Sequence, residues 1–317
     1  MSKTLILVDA MNLAYRSHYA MPTLTNEEGT RTGMCYGFIR SILGIKKQFL
    51  SDRIVVCWDS GIPGGKQVRS WRYELSKTYK ATRKRNAETE FVISKLPELV
   101  SVIETIGWLN VGVPTLEGDD IIGIICGARI GAANLVCSGD QDFYQLLTMP
   151  HVRIVYPTKY QGNVVVDKGL IETTHKITLE QWPAFIALGG DASDNIKAIP
   201  GVGAKRGLDM IRDGFDPSLR DHRRLPSEVK AKYARYLNTE SWARIRTAYK
   251  LALIPTDARD VGNGTKQELS TTILRVRDYC DNNTPKQKTS ARLTTFSRWC
   301  ADNDMNEFLE RRREILQ

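Results

Sequence analysis

Glu117-Gly118-Asp119-Asp120 and Asp140-Gln141-Asp142 bracket an apolar run (Ile121, Ile122, Ile124, Ile125) and a short strand-like stretch, Leu135-Val136-Cys137. Carboxylates crowded this closely repel one another unless cations lie between them. Oxygen ligands of this kind select Mg²⁺ or Mn²⁺ over zinc. Acids also favour helix starts as caps and first-turn charges, and a single E-G-D-D is equally well explained that way. Four further acids tip the balance. Asp9 and Asp59 each close an apolar run, and Asp191 and Asp194 lie in Gly190-Asp191-Ala192-Ser193-Asp194.

Positive charge is concentrated too. Between Gly64 and Glu88 stand Lys66, Arg69, Arg72, Lys77, Lys80, Arg83, Lys84 and Arg85 against one acid, Glu74, with Trp71, Tyr73 and Tyr79 interleaved. Lys80, Arg83 and Lys84 share one face if a helix forms there. The bland reading is a solvated loop. The sharper one, favoured here, is a mobile basic bridge ordered by phosphates and stacked bases. A second basic feature is Ile199-Pro200-Gly201-Val202-Gly203-Ala204-Lys205-Arg206-Gly207. Its glycines allow close backbone approach, the amides that follow can hold a phosphate, and Lys205 and Arg206 add charge. G-V-G alone reads more readily as a plain helix–helix turn.

The elements that must position these residues alternate. Leu5–Asp9, Arg53–Asp59, Trp108–Val113 and Leu135–Cys137 read as buried parallel strands. Residues 34–49 and 91–106 read as amphipathic helices between them. This is the pattern of a doubly wound α/β sheet. Asp9, Asp59, Glu117 and Asp140 then lie just past the carboxyl ends of four strands, the edge where open α/β sheets bind ligands. Capping alone does not place four acids there. Residues 152–156 and 163–166 suggest a marginal β-hairpin. Thr178-Leu179-Glu180-Gln181 opens a helix as a capping box. Residues 226–253 read as helical with a core aromatic stripe that includes Tyr236, residues 255–271 as loop, and the tail from Leu274 as charged helix.

The chain has 317 residues, a 42% hydrophobic share and a net charge of +9. That is room for a large domain with an appended smaller one. No apolar run approaches the roughly 18 residues of a membrane span, and the opening residues do not read as a signal peptide. Six cysteines without a C-x-x-C pair, three of them inside apolar runs, fit buried free thiols in a reducing cytoplasm. The basic balance points to a polyanionic partner, most simply nucleic acid.

Taken together, I-L-V-D-A-M-N-L-A-Y-R (6–16), W-D-S (58–60), Y-K-A-T-R (79–83), E-G-D-D (117–120), S-G-D-Q-D (138–142), G-D-A-S-D-N-I (190–196) and I-P-G-V-G-A-K-R-G (199–207) resemble the 5′-nuclease (flap endonuclease) family. Its members include the 5′-nuclease domains of bacterial DNA polymerases and free-standing phage enzymes, and the chain looks most like the phage type. The motifs run in family order over roughly residues 3–215. The resemblance implies a PIN-like, mostly parallel twisted sheet with helices on both faces, plus a helix–three-turn–helix DNA-binding module. It divides the chain into a nuclease domain (1–177, with a basic arch at about 64–90), that module (178–255) and a helical extension of unassigned role (256–317). It further implies two Mg²⁺ ions, with Mn²⁺ as substitute. One would be held by Asp9, Asp59, Glu117 and Asp119, the other by Asp140, Asp142 and Asp191, with Asp120 and Asp194 close by. Tyr79, Lys80 and Arg83 match arch residues that engage the scissile phosphate, and Arg16 matches a basic residue near the site. The glycine hairpin Gly201-Val202-Gly203 matches a turn that grips duplex backbone, often with K⁺.

The expected activity is therefore metal-dependent 5′-3′ exonuclease and flap endonuclease cleavage near single-strand/duplex junctions, in replication or repair and including RNA primer removal. The substrate would be branched or 5′-ended DNA or an RNA–DNA hybrid. Lys77 and Lys84 would join Lys205 and Arg206 in holding it. A monomer without membrane contact, in the cytoplasm (a host's, if phage-encoded), is expected. The rivals are a PIN-type ribonuclease, which would not need the hairpin module, and a non-catalytic structure-specific DNA-binding protein, which would gain affinity by losing the acids.

Overall fold

A computed structural model describes residues 4–158, 162–197, 199–262, 265–282 and 290–316. Six strands form one sheet: β1 (Thr4–Asp9), β2 (Ile54–Trp58), β3 (Leu109–Gly112), β4 (Ala133–Cys137), β5 (Val152–Thr158) and β6 (Gly162–Val165). Their order is β3-β2-β1-β4-β5-β6, all parallel except β6, which pairs antiparallel to β5. The central strands are almost wholly buried, as expected where helices cover both faces.

Alternate residues of each strand feed different apolar clusters, as a period of two demands. Ile6, Val8, Ile54, Val56 and Trp58 face α1 (Ala10–Ala20), α2 (Gly33–Phe49) and, after a short α3 (Arg72–Leu75), α4 (Ala87–Ile106). Leu5, Leu7, Val55 and Cys57 face α5 (Gly118–Gly127) and the 3₁₀ stretch Gln141–Thr148. That second cluster continues through α6 (Lys168–His175), α7 (Trp182–Gly189), α8 (Ala204–Arg212), α9 (Ser227–Lys232) and α10 (Thr239–Ala252).

The stretch 226–253, expected as continuous helix, is broken. A 3₁₀ turn at Ala234–Tyr236 separates α9 from α10, and Asn238 caps the latter by accepting from the Ser241 N–H. The tail is the larger surprise. Helix α11 (Lys266–Asp281) starts inside the expected loop and joins the α5 face. Helices α12 (Ser290–Asp302), α13 (Asn306–Glu310) and α14 (Arg312–Ile315) cross to the other face, where Phe296, Phe308 and Ile315 complete the α2–α4 cluster. Tyr36 stacks on Phe308 at 5.0 Å and donates its hydroxyl to Glu307. All six cysteines are buried free thiols. Among the described residues no helix is long and apolar enough to cross a membrane.

Candidate active site

Strand order converts scattered acids into a row. Because β1 lies between β2 and β4, and β2 between β1 and β3, the strand-end acids follow one edge in the order Glu117, Asp59, Asp9, Asp140. Asp9 ends β1 and caps α1, accepting from the Asn12 N–H at 3.2 Å and from Ser138 Oγ at 2.8 Å. Asp59 accepts from the Gly118 N–H at 2.7 Å. A Cβ at Gly118 would lie 3.1 Å from that carboxylate and 3.0 Å from the Cys57 carbonyl, so a larger residue there would press on both. Glu117 is the N-cap residue of α5, Asp119 stands in its first turn, and Asp140 caps the 3₁₀ stretch that carries Asp142. Capping and site-building thus use the same residues.

A cavity of about 670 Å³ opens over this row. Asp9, Asp59, Glu117, Asp119 and Asp140 line it on one side, and Met11, Tyr15 and Tyr19 of α1 on another. Arg16 is at its rim, donating to the Pro157 carbonyl at 2.8 Å. Asp191 and Asp194 arrive on the loop between α7 and α8. The Asp191 carboxylate accepts from the Ser193 and Asp194 N–H groups.

The basic segment closes on this site rather than standing off as a bridge. Lys80 N–H donates to the Asp194 carbonyl, Arg83 Nε to the Ser193 carbonyl and Asn195 Nδ2 to the Thr78 carbonyl. The expected helical face at 80–84 does not form: Lys80 has φ +56°, left-handed, and neighbours in turns. Nor are all the aromatics open for stacking. Trp71 donates to Asp120 at 2.9 Å, and the buried Tyr79 donates its hydroxyl to both Glu117 (2.9 Å) and Asp194 (2.8 Å). Trp71 and Tyr73 stay partly open, the latter flanked by Arg69 and Lys77. Lys77 also pairs with Glu74, and Lys84 is exposed.

Three cations sit among the acids. Lys80 Nζ is 2.8 Å from Glu117 and 3.9 Å from Asp194, and Arg83 is 2.6 Å from Asp194. The third is Arg72, only 1% exposed. It reaches Glu117 (3.2 Å), Asp119 (3.5 Å) and Asp120 (2.8 Å) and donates to the Leu251 and Leu253 carbonyls at the end of α10. In the sequence Arg72 is one basic residue among eight. Its place between Trp71 and Tyr73 was the sole hint of burial.

These contacts sort the carboxyls. Burial raises the Glu117 and Asp194 carboxyls, but nearby cations, Lys80 foremost, outweigh it and hold both below their ordinary range. Burial, with Asp59 next, pushes Asp9 up to about 7. Asp142 rises to about 8 through burial and then the charges of Asp140, Asp194 and Asp191. Burial also raises Asp59 against the pull of Lys80, and Asp119 against that of Arg72. Asp120 stands apart from the other eight. It is fully enclosed, and its oxygens are engaged by Trp71, the Glu117 N–H and Arg72, so it anchors the α5 turn from below instead of facing the cavity.

Among the described residues no three acids close round a single point. The donor set nonetheless suits a hard divalent cation: carboxylate oxygens line the cavity without histidine or cysteine, and the Lys80 ammonium stands in among them. On the far side of the loop, Gly201 adopts φ +78°, Val202 is buried, and extended Gly203 precedes α8, whose first turn carries the exposed Lys205 and Arg206.

Comparison with known proteins identifies the family. The profile of the family described as "5′-3′ exonuclease, N-terminal resolvase-like domain" matches residues 4–175. A thermostable DNA polymerase I of Thermus filiformis is 33% identical over 213 residues, covering 67% of this chain and 24% of the polymerase. The chain thus spans about a quarter of such relatives. A 5′-3′ exonuclease of Buchnera aphidicola is 28% identical over 209 residues, covering 65% of this chain and 69% of its own. In fold, the bacteriophage T5 flap endonuclease, solved with DNA and metal ions, superposes with a TM-score of 0.64 at 20% identity over 87% of this chain and 99% of that one. The chain belongs to the 5′-3′ exonuclease family, through the N-terminal resolvase-like domain at residues 4–175.

Proposed function

We propose that this protein is a divalent-metal-dependent, structure-specific 5′ nuclease that hydrolyses phosphodiesters near single-strand/duplex junctions. The observation that carries the reading is the row of strand-end acids with a lysine ammonium lodged among them. Two Mg²⁺ ions, or Mn²⁺ in their place, would be held by Asp9, Asp59, Glu117 and Asp119 on one side and by Asp140, Asp142 and Asp191 on the other, with Asp194 close by. Such ions, when bound, activate a water and stabilise the leaving oxygen.

The chain's own residues do the rest. Lys80 and Arg83 set positive charge against the phosphate as charge builds on it. Tyr79 holds Glu117 and Asp194 in register through its shared hydroxyl. Arg16 borders the cavity where the strand enters. The hairpin Gly201-Val202-Gly203, with Lys205, Arg206 and a K⁺ ion, belongs to a helix–three-turn–helix module that grips duplex backbone without reading sequence. A 5′-ended or branched DNA is the substrate, with RNA annealed to DNA accepted, and a monomer acts.

A labelled 5′-flap DNA, incubated with Mg²⁺ or with EDTA, tests this directly. Short 5′ products should be released with Mg²⁺ alone. Absence of cleavage with both Mg²⁺ and Mn²⁺ overturns the reading, and preference for a single-stranded RNA without a duplex redirects it to a ribonuclease.

A further inference from the structure

The chain that leaves α10 is gripped along both edges. Leu253 is extended (φ −73°, ψ 131°), and in extended backbone successive residues turn their polar groups to opposite sides. On one side Arg72 donates to the Leu251 and Leu253 carbonyls. On the other stands Gln145, whose Nε2 donates to the Ala252 carbonyl at 3.1 Å and whose Oε1 accepts from the Ile254 N–H at 2.9 Å. This strap, residues 251–254, then runs close over α5: a Cβ at Gly123 would lie 2.4 Å from the Pro255 carbonyl.

Gln145 makes a third bond, and that one reaches the acids. The same Nε2 donates to the Asp142 carbonyl at 2.8 Å. Two carbonyls on one side and an N–H on the other fix which end of the amide is nitrogen. The side chain is buried, so turning it away would leave polar groups unpaired out of reach of water. Asp142 needs such support, because it sits in a 3₁₀ stretch, whose own hydrogen bonds are poorly aligned. Its N–H donates to the Asp140 carboxylate and its carbonyl accepts from Gln145. One neighbour therefore holds it from the cavity side and the other from the strap. Gln145 lies outside every motif named above.

We propose that Gln145 is a positioning residue for Asp142: it ties the turn that carries this acid to the strap leaving α10, so that the helical module and this part of the acid row keep one register. The inference rests on the nuclease reading for what Asp142 binds. A carboxylate that must meet a cation tolerates little displacement, and a side chain that orients a metal ligand is worth about 10–100-fold in metal affinity or activity.

The test uses the whole protein. Gln145→Met keeps the bulk and removes all three bonds. Mn²⁺ binding without DNA, followed by the paramagnetic resonance signal of the free ion, should weaken by about tenfold. Single-turnover cleavage of saturating 5′-flap DNA with Mg²⁺ should slow by about tenfold, while flap binding in EDTA changes by less than about twofold. Gln145→Asn, one methylene shorter, cannot span both sides and should fall between; it carries the test if Gln145→Met does not fold. Beside Asp142→Asn, the Gln145 change should add no further loss of rate, because a residue that acts through another is silent once that other is gone. Tyr36→Phe, which gives up the bond to Glu307, is the control for stability alone: it should melt earlier with rate and Mn²⁺ affinity unchanged. Gln145 variants that behave like this control overturn the proposal. So does a full further loss beside Asp142→Asn, or a loss of flap binding equal to the loss of rate. Wild type that binds Mn²⁺ but cleaves no flap fails the nuclease reading alone, and the Mn²⁺ arm then still decides the role of Gln145.

Discussion

The two ends of the acid row are built differently. At the start of α5 the protein supplies its own counter-charge: Arg72 meets Glu117, Asp119 and Asp120, and Lys80 adds to Glu117. At the ends of β1 and β4, among the described residues, no cation pairs with Asp9, Asp140 or Asp142. Neutral donors alone serve them: Asn12, Ser138 and the Asp142 N–H. Glu117 is therefore held ionised, whereas Asp9 and Asp142 are pushed up to about 7 and about 8. An internal cation fixes geometry permanently, because buried charges left unpaired are costly. Carboxyls without one are the places where an external cation gains most by binding. The first end frames the site; the second is left open, with no cation of the protein's own among the described residues.

The largest effect expected from this contrast is at Arg72. Arg72→Gln leaves three carboxyls without their guanidinium and frees two carbonyls of α10, and removing one partner of a buried pair costs about 3–5 kcal/mol. Denaturant unfolding should show a loss of that size. A loss under about 1 kcal/mol would mean that solvent or Lys80 replaces it, and the contrast between the two ends would fail. Next come Asp142→Asn and Asp191→Asn at the open end. Flap cleavage should drop by about a hundredfold to a thousandfold, the scale of a lost electrostatic contact in a transition state. DNA binding should survive and stability change little. Retained turnover in both variants would place the metals elsewhere.

Much of this contrast was legible in the sequence, and the part that was not has a physical reason. The row of acids could be read because a buried parallel strand announces itself as an apolar run, and Asp9, Asp59, Glu117 and Asp140 sit just beyond the ends of four such runs. Their spatial order depends on strand crossovers, which short-range patterns do not encode. Arg72 escaped notice because burial of a charge depends on partners brought from residues 117–120 and 251–253. Local composition made it one more surface cation. The same cause misplaced Trp71 and Tyr79, whose polar atoms are claimed by distant carboxylates. The helices beyond residue 265 carry no assignable role in the sequence, where residues 255–271 read as loop and only the tail from Leu274 as charged helix. They close both faces of the sheet, which only the assembled layers reveal.

Lys80 ties the framing end to the loop between α7 and α8, lying 2.8 Å from Glu117 and 3.9 Å from Asp194. If it acts on the phosphate as proposed, Lys80→Ala should slow single-turnover cleavage by about tenfold to a hundredfold while flap binding in EDTA weakens by less than about threefold. Equal losses in both measurements would make Lys80 a tether and assign it to the framing end with Arg72.

A smaller effect, in pH, sharpens the contrast further. Asp9 and Asp142 carry native values of about 7 and about 8 against an ordinary value of 3.8. Between those limits the folded protein binds more protons than the unfolded chain. By linkage, the stability from these groups is complete below pH about 4 and is lost as pH rises through 7 to 8. Glu117 and Asp194, shifted down, act oppositely and only in the acid range. If magnesium binds the open end as proposed, it competes with the protons there and should raise the melting temperature more at pH 8.0 than at pH 5.5, by at least about 3 °C. Asp9→Asn combined with Asp142→Asn should flatten both the metal-free pH slope and the magnesium increment, because an amide can neither lose the proton nor bind the ion strongly. An increment equal at the two pH values in the unmodified protein would mean that the open end is already ionised without metal, and the distinction between framing and open carboxylates would then rest on Arg72 alone.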